Sequence, residues 1–138
     1  MSSIVQTQTT SFKKELYEAI HDLTTDVLKI ALYTASADLN EATTVYSSAN
    51  EVTGTGYVAG GVTMTGVAVS SSGYTAYVDF ADVVFGASVT ARCALIYNSS
   101  KANRAIAVLD FGSDKTSANF TITMPSNTAT SALIRSSN

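Results

Sequence analysis

The string Gly54-Thr-Gly-Tyr-Val-Ala59 has the residue types of a dinucleotide-binding turn. It matches the pattern G-x-G-x-x-A, and Asp79 follows about twenty residues later, where such folds place an acidic partner for the ribose. That chemistry needs an apolar strand before the glycines and a helix after them, so that backbone N–H groups point at the pyrophosphate. Here residues 47–53 are polar and residues 60–66 are poor helix formers. We therefore predict that the glycines serve turns or close backbone approaches, and we expect no cofactor.

Two pairs of aspartates could do acid–base or calcium chemistry: Asp79 with Asp82, and Asp110 with Asp114. Paired carboxylates cleave glycosides or ligate calcium, but neither pair has the dense oxygen-ligand spacing of a calcium loop. We predict that both pairs are solvated at strand ends. Asp110 also begins the triplet Asp-Phe-Gly112, which binds magnesium in protein kinases, yet the chain lacks the catalytic loop that accompanies it there. We expect this triplet to end a strand.

His21 is the only histidine, which excludes any site built on two. With Asp22 and Asp26 it could form a weak cation site, but a solvated polar face of a helix is the simpler interpretation. Residues 98–100 spell Asn-Ser-Ser, formally a glycosylation acceptor. We expect the asparagine to serve a turn instead, because its side chain can bond to nearby backbone. No metal site and no catalytic residue are predicted.

Cys93 is the only cysteine, so an internal disulfide and a zinc site of several cysteines are excluded. It lies in an alternating run in which it should face the same way as Val89, Ala91 and Leu95. Free cysteine is among the most buried residue types. We predict a buried, unreactive thiol.

Composition favours one all-β domain. Hydrophobic residues make up 46% of the 138 residues and charged residues 14%, with 18 Ser and 19 Thr. Threonine suits half-buried strands, and a chain of this length can bury a core without disulfides or metals. The seven tyrosines, with no tryptophan, could supply contact surface or cap the rims of the core.

Charge and hydropathy exclude several classes of partner. The net charge is -3, and the eight Lys and Arg are scattered, so nucleic acid is a poor candidate. No run reaches the ~20 apolar residues of a membrane helix. The N-terminus lacks the basic and apolar regions of a signal peptide, and we expect synthesis in the cytoplasm of a cell, without export by that route.

The first part of the chain predicts an arm and a helix. Residues 1–10 are polar and uncharged apart from a few apolar side chains, which is typical of a flexible arm. Residues 11–23 carry apolar side chains at helical spacing, and Ser11 is a plausible N-cap. The apolar positions are Phe12, Leu16, Ala19, Ile20 and Leu23. A short amphipathic helix at about 11–23 is therefore expected, ahead of the body of a single domain at 11–138.

The rest of the chain predicts about eight strands. A strand at 27–33 has Leu28, Ile30 and Leu32 facing inward, and residues 34–56 form a long excursion without a sustained period. Runs at 62–70 and 74–80 read as a hairpin. Further strands are expected at 83–85, 89–97, 104–111, 119–124 and 131–135. This spacing is typical of a β-sandwich or jelly roll.

The most informative segment is residues 94–112, two apolar runs joined by a polar turn. It predicts a hairpin with both faces covered, as in the centre of a packed sheet or at a subunit contact. Arg92 and Arg104 lie on or beside its arms. Such a charge either protects a strand edge or pairs with an acidic group of another subunit, and the sequence leaves both alternatives open.

Several segments together resemble a family of small structural proteins of tailed bacteriophages. They are residues 12–16, 28–33, 50–61, 78–80, 94–98 and 107–112. Within that group the chain is similar to cement, or decoration, proteins, which sit outside an icosahedral head and bridge neighbouring major capsid subunits. The resemblance implies a jelly-roll-like sandwich that acts as a dimer or trimer, and related proteins are also assigned to tails and collars.

The resulting hypothesis is a cement protein on the outer surface of the virion, with the major capsid protein and a second copy of itself as partners. A homodimer is favoured and a trimer is possible. The elements free to reach partners are the arm at 1–10, the excursion extended to 34–61, and the hairpin turn at 98–103. The candidate contacts on or beside them are Ile4, Val5, Tyr57, Asn98, Lys101 and Arg104. The alternatives are a tail, collar or fibre-base protein, and a carbohydrate-binding or glycan-cleaving β-sandwich.

Overall fold

The computed structural model describes residues 3–125, 128 and 132–137, and this part of the chain is mostly antiparallel β-structure. It contains one helix, α1 (Thr10–Tyr17), and a 3-10 turn at Ser99–Lys101. Its ten strands are β1 (Thr7–Gln8), β2 (Leu28–Tyr33), β3 (Val62–Thr63), β4 (Ala68–Ser72), β5 (Thr75–Asp79), β6 (Val83–Val84), β7 (Val89–Asn98), β8 (Arg104–Ser117), β9 (Thr121–Ile122) and β10 (Ile134–Ser137). The prediction of an all-β chain with one short helix is confirmed. The predicted strand at 131–135 corresponds to β10, and residue 131 lies outside the described residues.

The described strands form three sheets. The large sheet has the order β1-β8-β7-β2-β3, the small sheet has the order β10-β5-β4, and β6 pairs with β9. Side chains from all three sheets and from α1 share one hydrophobic core, which contains Phe12, Ile30, Val78, Val83, Ile122 and Ile134. This core therefore lies on one face of the large sheet, which we call the inner face.

The hairpin predicted at 94–112 is the centre of the large sheet and is confirmed. β7 pairs with β8 on one side and with β2 on the other. Every residue from Cys93 to Asn98 is buried, as is every residue from Ala105 to Leu109. Alternate side chains enter a second cluster on the opposite, outer face of the sheet, among them Tyr33, Cys93, Leu95, Tyr97 and Val108. Continuous apolar runs in the sequence thus correspond to a sheet that is covered on both faces.

An irregularity in β8 changes which face the hairpin presents. Ala91 pairs with Lys115, whereas Cys93 pairs with Asp110, so residues 111–114 form a bulge opposite Arg92. Gly112 takes a positive φ of 83° there. Opposite this bulge the alternation of β7 also breaks, since Ala91 enters the inner core while Cys93 enters the outer cluster. The expected common face of Ala91 and Cys93 is wrong, and Asp-Phe-Gly112 lies within β8 instead of ending it.

Helix α1 is shorter than predicted, spanning Thr10–Tyr17 instead of about 11–23. Thr9, not Ser11, is the N-cap: its hydroxyl accepts the N–H of Phe12 at 3.2 Å. At the other end Ala19 takes a left-handed φ of 59°, and the N–H of Ile20 bonds to the carbonyl of Glu15 at 3.0 Å. This closing arrangement ends the helix although the apolar spacing continues beyond it.

The residues predicted as a free arm are paired in the structure, as far as they are described. Thr7 and Gln8 form β1 and pair with Val108 and Ala107 of β8. Ile4 forms a bridge with Leu39. The expectation of a flexible arm at 1–10 is corrected for residues 3–10, because the edge of β8 offers backbone partners that a polar, uncharged segment can join. Residues 1 and 2 lie outside the described residues.

The strand predicted at 62–70 is divided between two sheets. Val62–Thr63 pairs with β2 in the large sheet, whereas Ala68–Ser72 pairs with β5 in the small sheet. Gly66, at φ 63°, changes the chain direction between them. The β4–β5 hairpin is confirmed, with its turn at Gly73–Tyr74.

Candidate partner-binding groove

Glu51 fixes the excursion beside the large sheet, where Tyr46 packs on the outer cluster and Tyr57 packs on the inner core. Its Oε1 accepts the hydroxyl of Tyr46 at 2.6 Å, and its Oε2 accepts the hydroxyl of Tyr57 at 2.5 Å and the N–H of Gly60 at 2.8 Å. The Tyr57 oxygen also accepts the N–H of Leu32 in β2 at 3.0 Å. Burial, together with the hydrogen bond to Glu51, raises the pKa of both phenols, so they remain protonated donors.

Two tyrosines of the sheet continue this cluster. The hydroxyl of Tyr97 donates to the carbonyl of Gly60 at 2.6 Å, and that of Tyr33 donates to the carbonyl of Ser47 at 2.6 Å. The rings of Tyr46 and Tyr97 stack with centroids 4.7 Å apart. Tyr57, predicted as a partner contact, therefore belongs to a cluster that fixes 46–60 to the sheet, and it is partly buried.

His21 lies after α1, with its side chain completely buried, and not on a solvated helix face. Its Nε2 is 2.8 Å from Glu15 Oε1, and its Nδ1 is 3.0 Å from the side-chain nitrogen of Asn98. The Asn98 oxygen accepts the N–H of Ser100 at 3.0 Å, so its amide group must donate to Asp26 at 2.7 Å and to the histidine. In this arrangement Nδ1 of His21 accepts from Asn98, and Nε2 donates to Glu15.

Two cations of the hairpin turn complete this network. Lys101 Nζ lies 2.9 Å from Asp26 Oδ1, and Arg104 lies 3.4 Å from Glu15 Oε2. Burial opposes ionisation of Asp26, but hydrogen bonds from Asn98, from the backbone of Asp22 and from Lys101 outweigh it, so the pKa of Asp26 lies below its usual 3.8. The turn is thus bonded to α1 and to the loop that follows it.

The six predicted contact residues are therefore dispersed. Asn98 is completely buried, whereas Lys101 and Arg104 keep 36% and 40% of their side chains exposed. Ile4 packs on the outer cluster, and Val5 is 40% exposed. The structure brings Asn98, Lys101 and Arg104 together in one network and leaves Ile4, Val5 and Tyr57 elsewhere. Sequence alone gave no sign that these polar side chains bond to one another.

The glycines of the dinucleotide-like string, Gly54 and Gly56, make close backbone approaches, as predicted, and so does Gly61, which lies outside the string. A Cβ on Gly54 would collide with the carbonyl oxygen of Ser88, and a Cβ on Gly61 would collide with the carbonyl oxygen of Ile30. Gly56, at φ 87°, would meet the Gly86 carbonyl oxygen at 2.6 Å. These positions admit only glycine because the excursion crosses β2 and the start of β7 without space for a side chain.

The aspartates singled out by sequence act separately. Asp110 Oδ1 accepts from Arg92 at 3.1 Å and from the N–H of Gly112 at 2.8 Å, and these bonds, the backbone one first, lower the pKa of Asp110. Asp82 accepts the N–H of Met124 at 2.7 Å. One buried oxygen of Asp79 has no hydrogen-bond partner among the described residues. Arg92 therefore has an acidic partner within its own chain.

Cys93 is completely buried, as predicted. Burial, reinforced by the charge of Asp110, raises the pKa of its thiol to about 12. A thiol with so high a pKa is protonated at neutral pH and is a poor nucleophile.

A groove of about 620 Å³ lies between α1, the loop after it and the small sheet; we call it the α1 groove. Its apolar lining includes Phe12, Leu16, Tyr17, Leu23, Val69 and Val78, and Lys13, Asp22 and Arg135 also line it. Three of the apolar side chains remain open: Leu16 is 42% exposed, Val69 49% and Tyr17 93%. Apolar side chains at this density beside a concave surface are typical of a contact site.

The α1 groove follows from where the helix ends. Phe12 fills the inner core, and Leu16, one turn later, was predicted to join it. Because the chain leaves the helix after Tyr17, Leu16 stays 42% exposed, whereas Leu23 reaches the inner core from the loop that follows. Sequence reasoning missed Tyr17 and Val69. A signal was available in Tyr17, which is a large aromatic side chain outside the apolar stripe.

Comparison with models of known protein families, with curated proteins and with solved structures found no match to this chain. None of the helices in the described ranges is long and apolar enough to cross a membrane. Over the same ranges, no three His, Cys, Asp or Glu side chains are grouped so as to hold a metal ion.

Proposed function

We propose that this chain is a structural protein of a tailed-bacteriophage virion, a cement protein that binds the outside of the head and bridges neighbouring major capsid subunits. The sequence resemblance suggests the family. The observation that carries the proposal is the α1 groove, an apolar surface on a firmly bonded scaffold, with Leu16, Tyr17 and Val69 open to a partner.

The bonding of the polar residues also supports a scaffold role. The side chains whose types suggest chemistry are used to fix the fold: Glu51 holds the excursion, and His21, Asn98 and Asp26 hold the hairpin turn. Asp110 is paired with Arg92, and Cys93 is buried. A protein whose polar and ionisable side chains stabilise its own fold is suited to joining two subunits, because such a protein must transmit force without rearranging.

Cementing has a simple physical basis. A head under pressure from packaged DNA fails where adjacent capsid subunits separate, and a clamp that contacts both sides adds contacts that must be broken first. An interface of at least ~1,000 Å² is typical of a specific contact, and symmetric repetition adds avidity. The α1 groove would supply the anchor of one such interface, with Tyr17 as its most exposed aromatic side chain.

The fold we propose for this role is a jelly-roll-like sandwich. Two observations support it: the large and small sheets are antiparallel throughout, and their side chains share the inner core. Such a sandwich would act as a rigid spacer between the surfaces that it joins.

The test strips the protein from purified heads, adds back defined variants and measures the temperature at which heads release DNA. We expect wild-type protein to restore heat resistance and the double variant Leu16→Ser, Tyr17→Ser to restore little. The matched control Val84→Ser changes a valine that is 59% exposed and does not line the α1 groove, and it should behave as wild type. Unchanged head stability after stripping would refute the cementing role.

The main alternative within the virion is a tail, collar or fibre-base protein. Immunogold labelling of intact particles distinguishes the two locations. Label on the tail or collar, with none on the head, would replace the cement proposal by this alternative.

A carbohydrate-binding function is the second candidate, favoured by one observation. Tyr17 and Tyr77 line the α1 groove together with Asp22, and aromatic faces beside a carboxylate suit a sugar ring. A glycan array probed with wild-type protein and with Tyr77→Ala tests it. Specific binding that is lost in the variant would support this function over a purely structural one.

A further inference from the structure

Strand β4 (Ala68–Ser72) is the edge of the small sheet, and among the described residues β5 is its only neighbour. The β4–β5 hairpin has a two-residue turn, with Ser72 opposite Thr75. Residues next to such a turn exchange both backbone hydrogen bonds, and the pattern then alternates along the strand. Ser72, Ser70 and Ala68 therefore bond to β5, whereas the N–H and C=O groups of Val69 and Ser71 point away from it.

Within residues 3–125, 128 and 132–137, this edge lacks the features that usually prevent strand pairing. From Gly66 to Tyr74 the sequence has no charged residue and no proline, and the register of β4 with β5 is continuous. Natural edge strands are commonly protected by lysine, proline, a bulge or a covering segment. Val69 on this edge is also 49% exposed. The four outward backbone groups thus form a ready template for another strand.

We propose that two copies of this chain pair through β4 in antiparallel orientation, joining their small sheets into one six-stranded sheet. A two-fold axis at Ser70 places Val69 opposite Ser71 of the second copy, and Ser71 opposite its Val69. All four outward groups of each strand then pair, because both residues of each such pair point outward. Since β4 carries no charge, self-pairing places no like charges opposite each other, and the two Ser70 hydroxyls can bond across the axis.

Apolar side chains beside the edge would enlarge this contact. In the same register Ser72 of one copy lies opposite Ala68 of the other, so the hairpin tip extends past the end of the neighbouring strand. Tyr74 at that tip is 89% exposed in the single chain. A stable dimer buries more than ~1,000 Å² in total, and a five-residue strand needs such flanking side chains to reach that area.

The dimer would also explain how one small domain could bridge two subunits, and this part of the inference rests on the proposed function. A chain with one α1 groove has one anchor, whereas a two-fold dimer has two. Val69 lies on β4 and lines the α1 groove, so the grooves of the two copies would flank the shared sheet. Each groove could then bind a different capsid subunit.

The first test is the mass of purified full-length protein by sedimentation velocity over a range of concentrations. We expect a species of twice the 14.4 kDa chain mass. Val69→Lys should raise the dissociation constant by about tenfold or more, because it places a charge at the pairing edge. Val58→Lys is the matched control: Val58 is 72% exposed but lies outside β4, and this variant should remain dimeric.

The second test checks the register directly. In the proposed pairing the two Ser70 residues form a non-hydrogen-bonded pair with Cα atoms about 4.5 Å apart, within the range of a disulfide. Ser70→Cys should therefore cross-link two chains under mild oxidation by copper phenanthroline, while Ser72→Cys should not. The native Cys93 is buried and should stay reduced in both variants.

The outcomes separate the dimer from its function. Ser71→Lys, which places a charge at the other outward residue of β4, is a second variant. A wild-type monomer at every concentration, or a dimer that both folded variants, Val69→Lys and Ser71→Lys, leave intact, would overturn the pairing. Circular dichroism of each variant establishes folding. A β4 dimer that fails to bind heads would support the pairing and refute the cement function. Head binding by a monomer would support the cement function and refute the pairing.

Discussion

The hairpin turn and the α1 groove differ from what their residue types suggest: the polar side chains of the turn are bonded within the fold, and an apolar side chain of the groove is exposed. The turn contains Asn98, Lys101 and Arg104, polar side chains of the kind that usually face solvent or a partner, yet they are bonded into the fold. The helix carries Leu16, which its spacing assigns to the core, yet the side chain is 42% exposed.

The difference teaches that polarity predicts exposure only when no partner exists within the chain. Asn98 can be buried at little cost because its oxygen and both its N–H groups have partners. Leu16 stays open because the helix ends one residue later. We therefore expect substitutions at the turn to change stability and substitutions in the groove to change binding, and the following predictions test that contrast.

Among the substitutions at the hairpin turn, the largest effect is expected for Asn98→Ala. The substitution leaves the buried Nδ1 of His21, the carboxylate of Asp26 and the N–H of Ser100 without their partner, which should cost about 2 to 4 kcal/mol of unfolding free energy. Urea denaturation measures it. Asn119→Ala, at an exposed position, should change stability by less than about 0.5 kcal/mol. Equal losses of unfolding free energy for Asn98→Ala and Asn119→Ala would contradict a stabilising role for the bonds of Asn98.

Acid should weaken the turn through Asp26. Because its folded pKa lies below 3.8, the stability it contributes is present above that value and is lost as pH falls through the folded pKa. Asp26→Asn should therefore lose less unfolding free energy than wild type when the pH is lowered from 7 to 2.5. Asp114→Asn, at an exposed carboxylate, is the control and should follow wild type. An unchanged acid response in Asp26→Asn would show that this network does not contribute.

A smaller, stabilising effect is expected for Ala19→Gly. Ala19 is exposed with a φ of 59°, a conformation that costs a residue with a Cβ about 1 kcal/mol and glycine much less. The melting temperature should rise by a few degrees. Ala42→Gly, at an exposed residue without a positive φ, should lower it or leave it unchanged. A lower melting temperature for Ala19→Gly would contradict the left-handed conformation of Ala19 that ends the helix beside the α1 groove.

The smallest effect on stability is expected for Tyr17→Ser in the groove. The side chain is 93% exposed, so its loss should change the unfolding free energy by less than about 0.5 kcal/mol. Phe12→Ala, on the same helix but completely buried, should cost about 3 to 5 kcal/mol. A large loss of unfolding free energy for Tyr17→Ser would show that this side chain contributes to the core, and it would contradict its proposed role as a partner contact.

Much of the strand structure was predictable, because strand formation depends on local patterns. The continuous apolar runs of β7 and β8 indicated a strand pair covered on both faces, and the Ser-Gly-rich turn before β5 indicated the β4–β5 hairpin. The prediction of one strand at 62–70 was wrong because the two ends of this segment pair with different sheets. Alternation within a strand does not specify which strand lies next to it. The predicted C-terminal end of the helix was wrong, because Ala19 adopts a left-handed conformation that is rare for alanine.

The candidate sites were less predictable because they depend on residues far apart in sequence. His21 and Asn98 are 77 residues apart, and Asp26 and Lys101 are 75 apart. The α1 groove joins residues near 16 to residues near 69 and 134. Cys93 shares a face with Leu95 but not with Ala91, because the alternation of β7 breaks opposite the bulge at 111–114, where the pairing register shifts.

By itself, the sequence determined that this chain is mostly β, that residues 94–112 form its central hairpin, and that Gly54 and Gly56 leave room for neighbouring backbone. Each of these depends on the type of a residue or on the period of a short run. Only the tertiary structure decided which polar groups are buried and which apolar face remains open. Burial depends on what lies opposite a side chain, and that neighbour is chosen by the packing of distant segments.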